Sequence, residues 1–396
     1  MTIHPRTDTS LFGRWWWTVD RWMLTAIVAI TAIGALLTLA ASPAVAERIG
    51  LDTYHFVHRQ FVFLPVSLIV MVLVSLMTPR GIRRLAVGCA GAALIGMIAT
   101  LFVGAEIKGA SRWVHIAEFS LQPSEFVKPA FAVIAAWLFA ESRSNPSLPG
   151  NKLATGLFII IAGLLLLQPD VGMTSVVAAI WGIEFFLAGL PLLLVVMVAV
   201  LFMGGIVGAY FTFGHVQARI DRFLDPAAGE GYQVTRALEA FRNGGLFGRG
   251  PGEGRVKEVL PDAHADFIFA VAGEEFGLIA CLVLLGLFAF VVLRGFSRVL
   301  REDDLFIMLA SAGLLVQFGM QVIINIASTL NMIPPKGMTL PFVSYGGSST
   351  LALAIGMGMM LALTRERPGD LGLRRMRLTK VSGAGLLEKL APGGVG

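Results

Sequence analysis

"WMLTAIVAITAIGALLTLAA" fills residues 22–41 without a single charged side chain. A helix needs about 20 mostly apolar residues to cross the hydrocarbon core of a bilayer, and this run supplies them. It leads into "ASPAVAE" (41–47), where Ala44-Val45-Ala46 has the small side chains of a signal-peptidase site. A signal peptide's apolar region is only about 7–15 residues long. Residues 22–41 therefore read as a retained spanning helix. Trp15, Trp16, Trp17 and Trp22 then fall at the inner headgroup level, which amphipathic aromatic rings favour.

The pattern recurs along the chain. Of 396 residues, 56% are hydrophobic and 14% are charged, where a soluble domain carries roughly 25% charged residues. The expected fold is an all-α integral membrane protein. Ten spanning helices are predicted, at 22–42, 57–78, 82–104, 123–141, 152–168, 171–188, 190–213, 266–293, 304–330 and 345–364. Residues 1–21 precede the membrane domain (22–364), and a Pro/Gly-rich tail, 365–396, follows it with the composition of a disordered extension. Cys89 and Cys281 lie in apolar runs, so no disulfide framework is expected. The net charge of +5 forms no basic stripe of the kind that binds nucleic acid.

Ten spans put both ends of the chain on one side. That side collects Arg80, Arg83, Arg84, Arg294, Arg298, Arg301 and a basic tail, while the loops of the other face hold mainly Arg48, Arg59, Lys108, Arg112 and Lys336. The positive-inside rule makes the first side cytoplasmic. One outer connection, 214–265, is unusually long, and loops of this length usually carry function. Within it, "GYQVTRALEAFRNGG" (231–245) sets Val234, Leu238 and Phe241 at helical spacing before a Gly-Gly stop. That predicts a short amphipathic helix on the membrane surface.

Four stretches carry candidate chemistry. In "LPDAHADFIFAVAGEE" (260–275), a helix starting near Pro261 would put Asp262 and Asp266 on one face, with His264 pointing elsewhere. Asp262 suits a carboxylate that complements the helix dipole. Asp266, directly before "FIFAV", is the candidate functional acid. Aspartate-histidine-aspartate offers metal ligands, but not the paired histidines of a helical zinc site. No tightly bound cofactor is expected; a Mg²⁺ held between Asp266 and a substrate phosphate is compatible with the residues.

The second stretch is "KGASRWVHIAEFSLQPSEFVKPAF" (108–131). Pro123 suits a first helical turn, and Glu125 and Lys128, three apart, are able to meet. They read either as a structural ion pair with the lysine snorkelling outward, or, with Lys108 and Arg112, as a basic pocket for phosphate oxygens. The third, "GGLFGRGPGEGRVKEVLPDAH" (244–264), matches no nucleotide-binding glycine spacing. It is an ordinary glycine-rich loop or one that approaches an anion closely, with Arg249, Arg255 and Lys257 as its cations. The fourth, "NMIPPKGMTLPFVSYGGSSTLALA" (331–354), contains three prolines and cannot be a regular helix. Non-helical backbone at membrane depth must line protein or a water-filled cavity, so the segment reads either as a structural re-entrant loop or as a cavity lining, and on the second reading Lys336 and Ser344 are placed with the substrate-facing set.

Taken together, "QPSEFVKPA", "GYQ", "LPDAHADFIFAVAGEEFG" and "PPKGMTLPFVSYGGSS" resemble the signature blocks of the SEDS family (shape, elongation, division and sporulation). The likeness runs from the first helix to about Arg367. The Lys336-Gly337 pair is closer to the division members than to the elongation members, which usually carry Thr-Gly there. The resemblance implies a peptidoglycan glycosyltransferase that polymerises lipid II outside the bacterial inner membrane, during septal wall synthesis. It implies that Asp266 is catalytic, and it places Glu125 and Lys128 on the family's P-S-E-x-x-K pattern. It also implies a class B penicillin-binding protein transpeptidase and other division proteins as partners. Ala265 departs from the threonine often found before the aspartate, and Val256-Lys257 from a Gln-Lys pair in the glycine-rich loop.

Such a reaction needs a base for the acceptor hydroxyl and cations for the departing diphosphate. Asp266 is expected to supply the first, as base or orienter. Arg112, Lys128 and Lys336 are expected to supply the second. A rival reading is a lipid II flippase using the acids Asp170, Glu184, Glu274 and Glu275, against which stand the outer-face concentration of polar residues and the lack of an inverted repeat. A third is a structural scaffold.

Overall fold

The computed structural model describes residues 10–107, 110–116, 119–212, 214, 217, 221, 232–334 and 337–365. Its elements in chain order are α1 (Leu11–Thr18), α2 (Arg21–Arg48), α3 (His55–Ser75), α4 (Pro79–Val103), β1 (Ala105–Ile107), β2 (Ala110–Ile116), β3 (Phe119–Leu121), α5 (Pro123–Ser144), α6 (Gly150–Leu167), α7 (Val171–Leu187), α8 (Leu192–Thr212), α9 (Tyr232–Gly244), α10 (Val256–Val259), α11 (Ile268–Val299), α12 (Leu305–Thr329) and α13 (Gly347–Leu363). Seven helices, α2 to α6 with α11 and α12, are long and apolar enough to cross a membrane. The apolar helices α7, α8 and α13 match the remaining three predicted spans. The protein is a multi-pass, all-α membrane protein. The expected tail beyond Arg365 lies outside the described residues.

Local chemistry explains the helix starts. Asp20 accepts the amides of Trp22 and Met23 at 3.1 and 3.2 Å, and Asp170 accepts that of Met173 at 3.1 Å; both are N-cap carboxylates of the kind that satisfy orphan amides. Pro79 and Pro123 occupy first turns, where the missing N–H costs nothing. The helix α2 continues through Pro43 to Arg48, and Val45 and Ala46 are buried, so the segment that looked like a cleavage site is part of the packed domain. The tryptophans before it form the separate helix α1, with Trp15 Nε1 donating to Ser75 Oγ at 2.7 Å.

Burial separates the bundle into layers. In the most apolar windows of α5 and α12, 78% and 72% of residues are buried, against 22–44% for the other long spans. These two helices and α13, in which 14 of 17 residues are buried, form the centre, and the other long spans turn a face to lipid. Between α4 and α5 a small antiparallel sheet, ordered β1-β2-β3, was not foreseen. The predicted amphipathic helix is α9; it buries Val234, Ala237 and Ala240, and the Phe241 ring packs at a tilt against Phe269 of α11, 5.7 Å between centroids.

The helix α11 is not continuous. Gly277 has φ 78° and ψ −178°, a conformation open to glycine and strained for other residues. The break frees backbone groups, and the glycine-rich loop takes them. Leu278 N donates to Gly245 O at 2.9 Å and Ile279 N to Leu246 O at 3.3 Å. In return, the carbonyls of Glu274 and Glu275 accept from Arg249 N and Gly250 N at 2.9 and 3.0 Å. Irregular backbone persists inside a membrane domain where protein satisfies it in this way.

Candidate functional site

Residues 261–267 form turns rather than the first turn of a helix, and α11 begins only at Ile268. Asp262 sits in the left-handed region at φ 54°. Its carbonyl oxygen accepts the amides of Ala265 and Asp266, each at 3.0 Å. Asp262 is therefore a turn residue, and the expectation that it complements a helix dipole from a start near Pro261 is corrected.

Three successive carbonyls of this turn are held from outside. His264 O accepts Tyr345 N at 2.9 Å, Ala265 O accepts Ser344 Oγ at 2.5 Å, and Asp266 O accepts Asn325 Nδ2 at 3.0 Å. Asn325 donates also to Met338 O at 2.7 Å. The backbone beneath Asp266 is thereby fixed to both α12 and the 337–346 segment. The Asp266 carboxylate is half-buried and faces that segment, with Oδ2 3.6 Å from where a Cβ on Gly337 would sit.

Ser344 was expected to face substrate. Instead it is 1% exposed; its hydroxyl donates to Ala265 and accepts Leu340 N at 2.8 Å, and its carbonyl accepts Gln60 Nε2 at 3.2 Å. Its hydrogen bonds are used inside the protein, which makes it a positioning residue. On the other side, α2 passes so close that a Cβ on Gly34 would collide with the Phe342 carbonyl oxygen. His264 is buried, stacked on Phe56 at 4.4 Å and close to Tyr345 at 5.2 Å. Burial pushes its imidazole down to about 4, with Arg48 acting in the same direction and Asp262 opposing. It is a neutral packing residue.

Glu125 and Lys128 do meet, with Nζ 2.7 Å from Oε2. Lys128 is wholly buried, so it does not snorkel to the interface. Its ammonium also donates to Gln321 Oε1 at 3.0 Å. Gln321 Nε2 reaches the Thr339 carbonyl at 3.2 Å and Ser349 Oγ at 3.1 Å, and the Thr339 and Ser349 hydroxyls are 2.7 Å apart. The pair belongs to a buried network joining α5, α12, the 337–346 segment and α13.

The remaining cations are placed differently from the sequence reading. Arg112 pairs with Asp170 at 3.1 Å and donates to the carbonyls of Gln168 and Pro169 at 3.0 and 2.6 Å, tying the sheet to the α6–α7 turn. Lys257 pairs with Glu275 at 2.6 Å and donates to Gly252 O at 3.0 Å. Glu274 accepts the amides of Arg255 and Val256 at 3.2 and 3.0 Å, and Glu275 that of Gly252 at 2.9 Å. The glycines of this loop thus approach protein carboxylates. Lys108 and Lys336 lie outside the described residues. No group of three His, Cys, Asp or Glu side chains converges on a cation site among the described residues.

Sequence reasoning missed Asn325 and Gln321. The available signal was Gln317, Gln321 and Asn325 at four-residue steps in an otherwise apolar span, since polar side chains inside a membrane helix normally bond to neighbouring helices.

The architecture and site define a class: a polytopic membrane protein with one half-buried carboxylate on a braced turn at a helix mouth. The model of the FtsW/RodA/SpoVE family, described as cell cycle proteins, matches residues 21–368, and the chain belongs to that family. It is 49% identical to the probable peptidoglycan glycosyltransferase FtsW of Caulobacter vibrioides, over 93% of this chain and 94% of that one. With the protein of that name from Escherichia coli O157:H7 it shares 32% identity, over 88% and 86%. A solved chain from a study of how a peptidoglycan synthase complex coordinates polymerization and crosslinking superimposes with a TM-score of 0.71 at 28% identity, covering 87% of this chain and 97% of its own. The rod shape determining protein RodA of Thermus thermophilus does so with a TM-score of 0.66 at 28% identity, covering 88% and 97%.

Proposed function

We propose that this chain is a peptidoglycan glycosyltransferase that polymerises lipid II into glycan strands at the outer face of the bacterial inner membrane during septal synthesis. The observation that carries the reading is the Asp266 turn. A half-buried carboxylate stands on a backbone held by Tyr345, Ser344 and Asn325. Rigid placement of this kind is what general-base catalysis and substrate orientation require.

In the step we assign, the acceptor sugar hydroxyl attacks the anomeric carbon of the donor. The new C–O bond forms as the bond to the lipid diphosphate breaks, and its electron pair leaves with the diphosphate. Asp266 takes the hydroxyl proton. A single in-line displacement inverts the anomeric centre without a covalent enzyme intermediate. Lys336, whose sequence neighbour Gly337 lies beside the carboxylate, is the cation we assign to the diphosphate. Glu125 and Lys128 brace the 337–346 segment through Gln321 and bear on substrate through that segment.

The basic residues of the 80–84, 294–301 and 365–380 segments support cytoplasmic ends and an outer Asp266. We assign a class B penicillin-binding protein transpeptidase as partner, on the likeness to the synthase-complex chain, and the division septum as the location, on the FtsW-type relatives. Three of the four acids that would have suited a flippase are bound into a cap, an ion pair or the loop, leaving Glu184 alone. The test is glycan formation from lipid II by the purified chain and transpeptidase in detergent, where no two-sided membrane exists. A polymerase makes glycan there; a flippase does not.

A further inference from the structure

At the end of α11 away from Asp266, Asp20 is buried at 2% exposure and holds two arginines. Arg294 Nε lies 2.9 and 2.8 Å from its two oxygens, and Arg298 Nε lies 2.7 Å from Oδ2. Both guanidiniums are gripped by Nε. Arg298 uses Nη1 on the Thr364 carbonyl at 3.3 Å, while no hydrogen bond among the described residues uses Arg294's terminal amino groups. These groups border a cavity of about 540 Å³ that is also lined by Trp17, Arg21 and Trp22. Arg21 lies over the Trp17 ring at 5.2 Å. Three guanidiniums against one carboxylate leave two positive charges on the cavity.

We propose that this cavity binds the phosphodiester headgroup of an anionic phospholipid. The volume falls in the range of small-molecule sites, and planar guanidiniums match phosphate oxygens in a bidentate manner. The surface below it fits acyl chains. Arg294 stands over Phe290 at 5.9 Å, and Phe290 and Leu293 on α11 and Val28 on α2 are 39%, 69% and 43% exposed. Trp22, 67% exposed at the rim, is the residue type that anchors at the headgroup level. Cations thus end where a lipid-facing apolar surface begins, an arrangement that suits a lipid better than a free anion. Basic pockets between spanning helices bind anionic headgroups on this principle.

The experiment is native mass spectrometry of the full chain in nonionic detergent, with phosphatidylglycerol, phosphatidylcholine or inorganic phosphate. The wild-type chain is expected to retain phosphatidylglycerol over phosphatidylcholine. Arg21→Gln with Arg294→Gln removes two charges worth roughly fivefold each, so the preference falls by about 25-fold. Asp20→Asn with Arg294→Gln and Arg298→Gln removes the buried pairing as a unit, giving a second variant without an isolated buried charge; it lowers the net charge on the cavity by one, so the preference falls by about fivefold. A thermal melt checks that each variant folds. Equal retention of the two lipids by wild type, or an unchanged preference in both folded variants, overturns the proposal. Full displacement of phosphatidylglycerol by millimolar phosphate overturns the lipid assignment in favour of a free-anion site.

Discussion

The Asn325 side-chain amide donates to the carbonyl oxygen of Asp266 at 3.0 Å and to that of Met338 at 2.7 Å. One residue of α12 therefore sets both the turn that carries the acid and the segment opposite it. Replacing Asn325 with Ala leaves one buried and one half-buried carbonyl without this donor, an effect of about 1–3 kcal/mol on stability. The expected kinetic result is a lowered kcat with little change in KM, because the carboxylate moves and the substrate surface stays. Steady-state polymerisation by the folded variant measures both.

Asp266→Asn keeps the shape and removes the base. Polymerisation by the chain with its transpeptidase is expected to fall about 100-fold or more, with the thermal melt unchanged. Full activity in this variant would remove Asp266 from the chemistry.

Lys128→Ala strips a wholly buried carboxylate, Glu125, of its partner. The loss of a buried partner costs about 3–5 kcal/mol, whereas removing both charges is often close to neutral. Glu125→Gln with Lys128→Met is therefore expected to melt near wild type while the single variant does not. If the double variant also polymerises normally, the pair is architectural only.

Lys257 and Glu275, 2.6 Å apart, fasten the glycine-rich loop to α11. Glu275→Gln weakens the pair and the acceptor for Gly252 N. Limited proteolysis within 245–259 is expected to accelerate in this variant while the rest of the bundle stays resistant.

His264 gives the acid limb of stability a defined origin. Its folded value is about 4, below the ordinary 6.5, so between those two pH values the unfolded chain binds a proton that the folded chain refuses. Its contribution is complete above pH 6.5 and is lost as pH falls toward 4. His264→Phe, which keeps the stacking on Phe56, is expected to flatten the fall in melting temperature over that window.

Much of the architecture was readable because lipid imposes one rule on every span. Ten apolar runs became ten helices, the proline at 123 marked a helix start, and three-residue spacing brought Glu125 to Lys128. What escaped was what sequence distance hides. The partner of Arg112 is 58 positions away, and that of Lys257 is 18 away, so both read as spare cations. Asp262 and Asp266 looked like one helical face because their spacing fits a helix, and nothing local announced that Asp262 would adopt φ 54°. Gly277 was one glycine among 45, and its break shows only once the loop that fills it is in place.

That break bears on how the chain is made. Four polar backbone groups, on Glu274, Glu275, Leu278 and Ile279, are bonded by residues 245–250. Left bare in hydrocarbon, each would cost several kcal/mol. The ribosome delivers residues 245–250 before it delivers 274–279, and chains assemble from their N-terminal side. The loop is thus already synthesised when α11 reaches the bilayer, so the broken helix has its hydrogen-bonding partners available as it inserts.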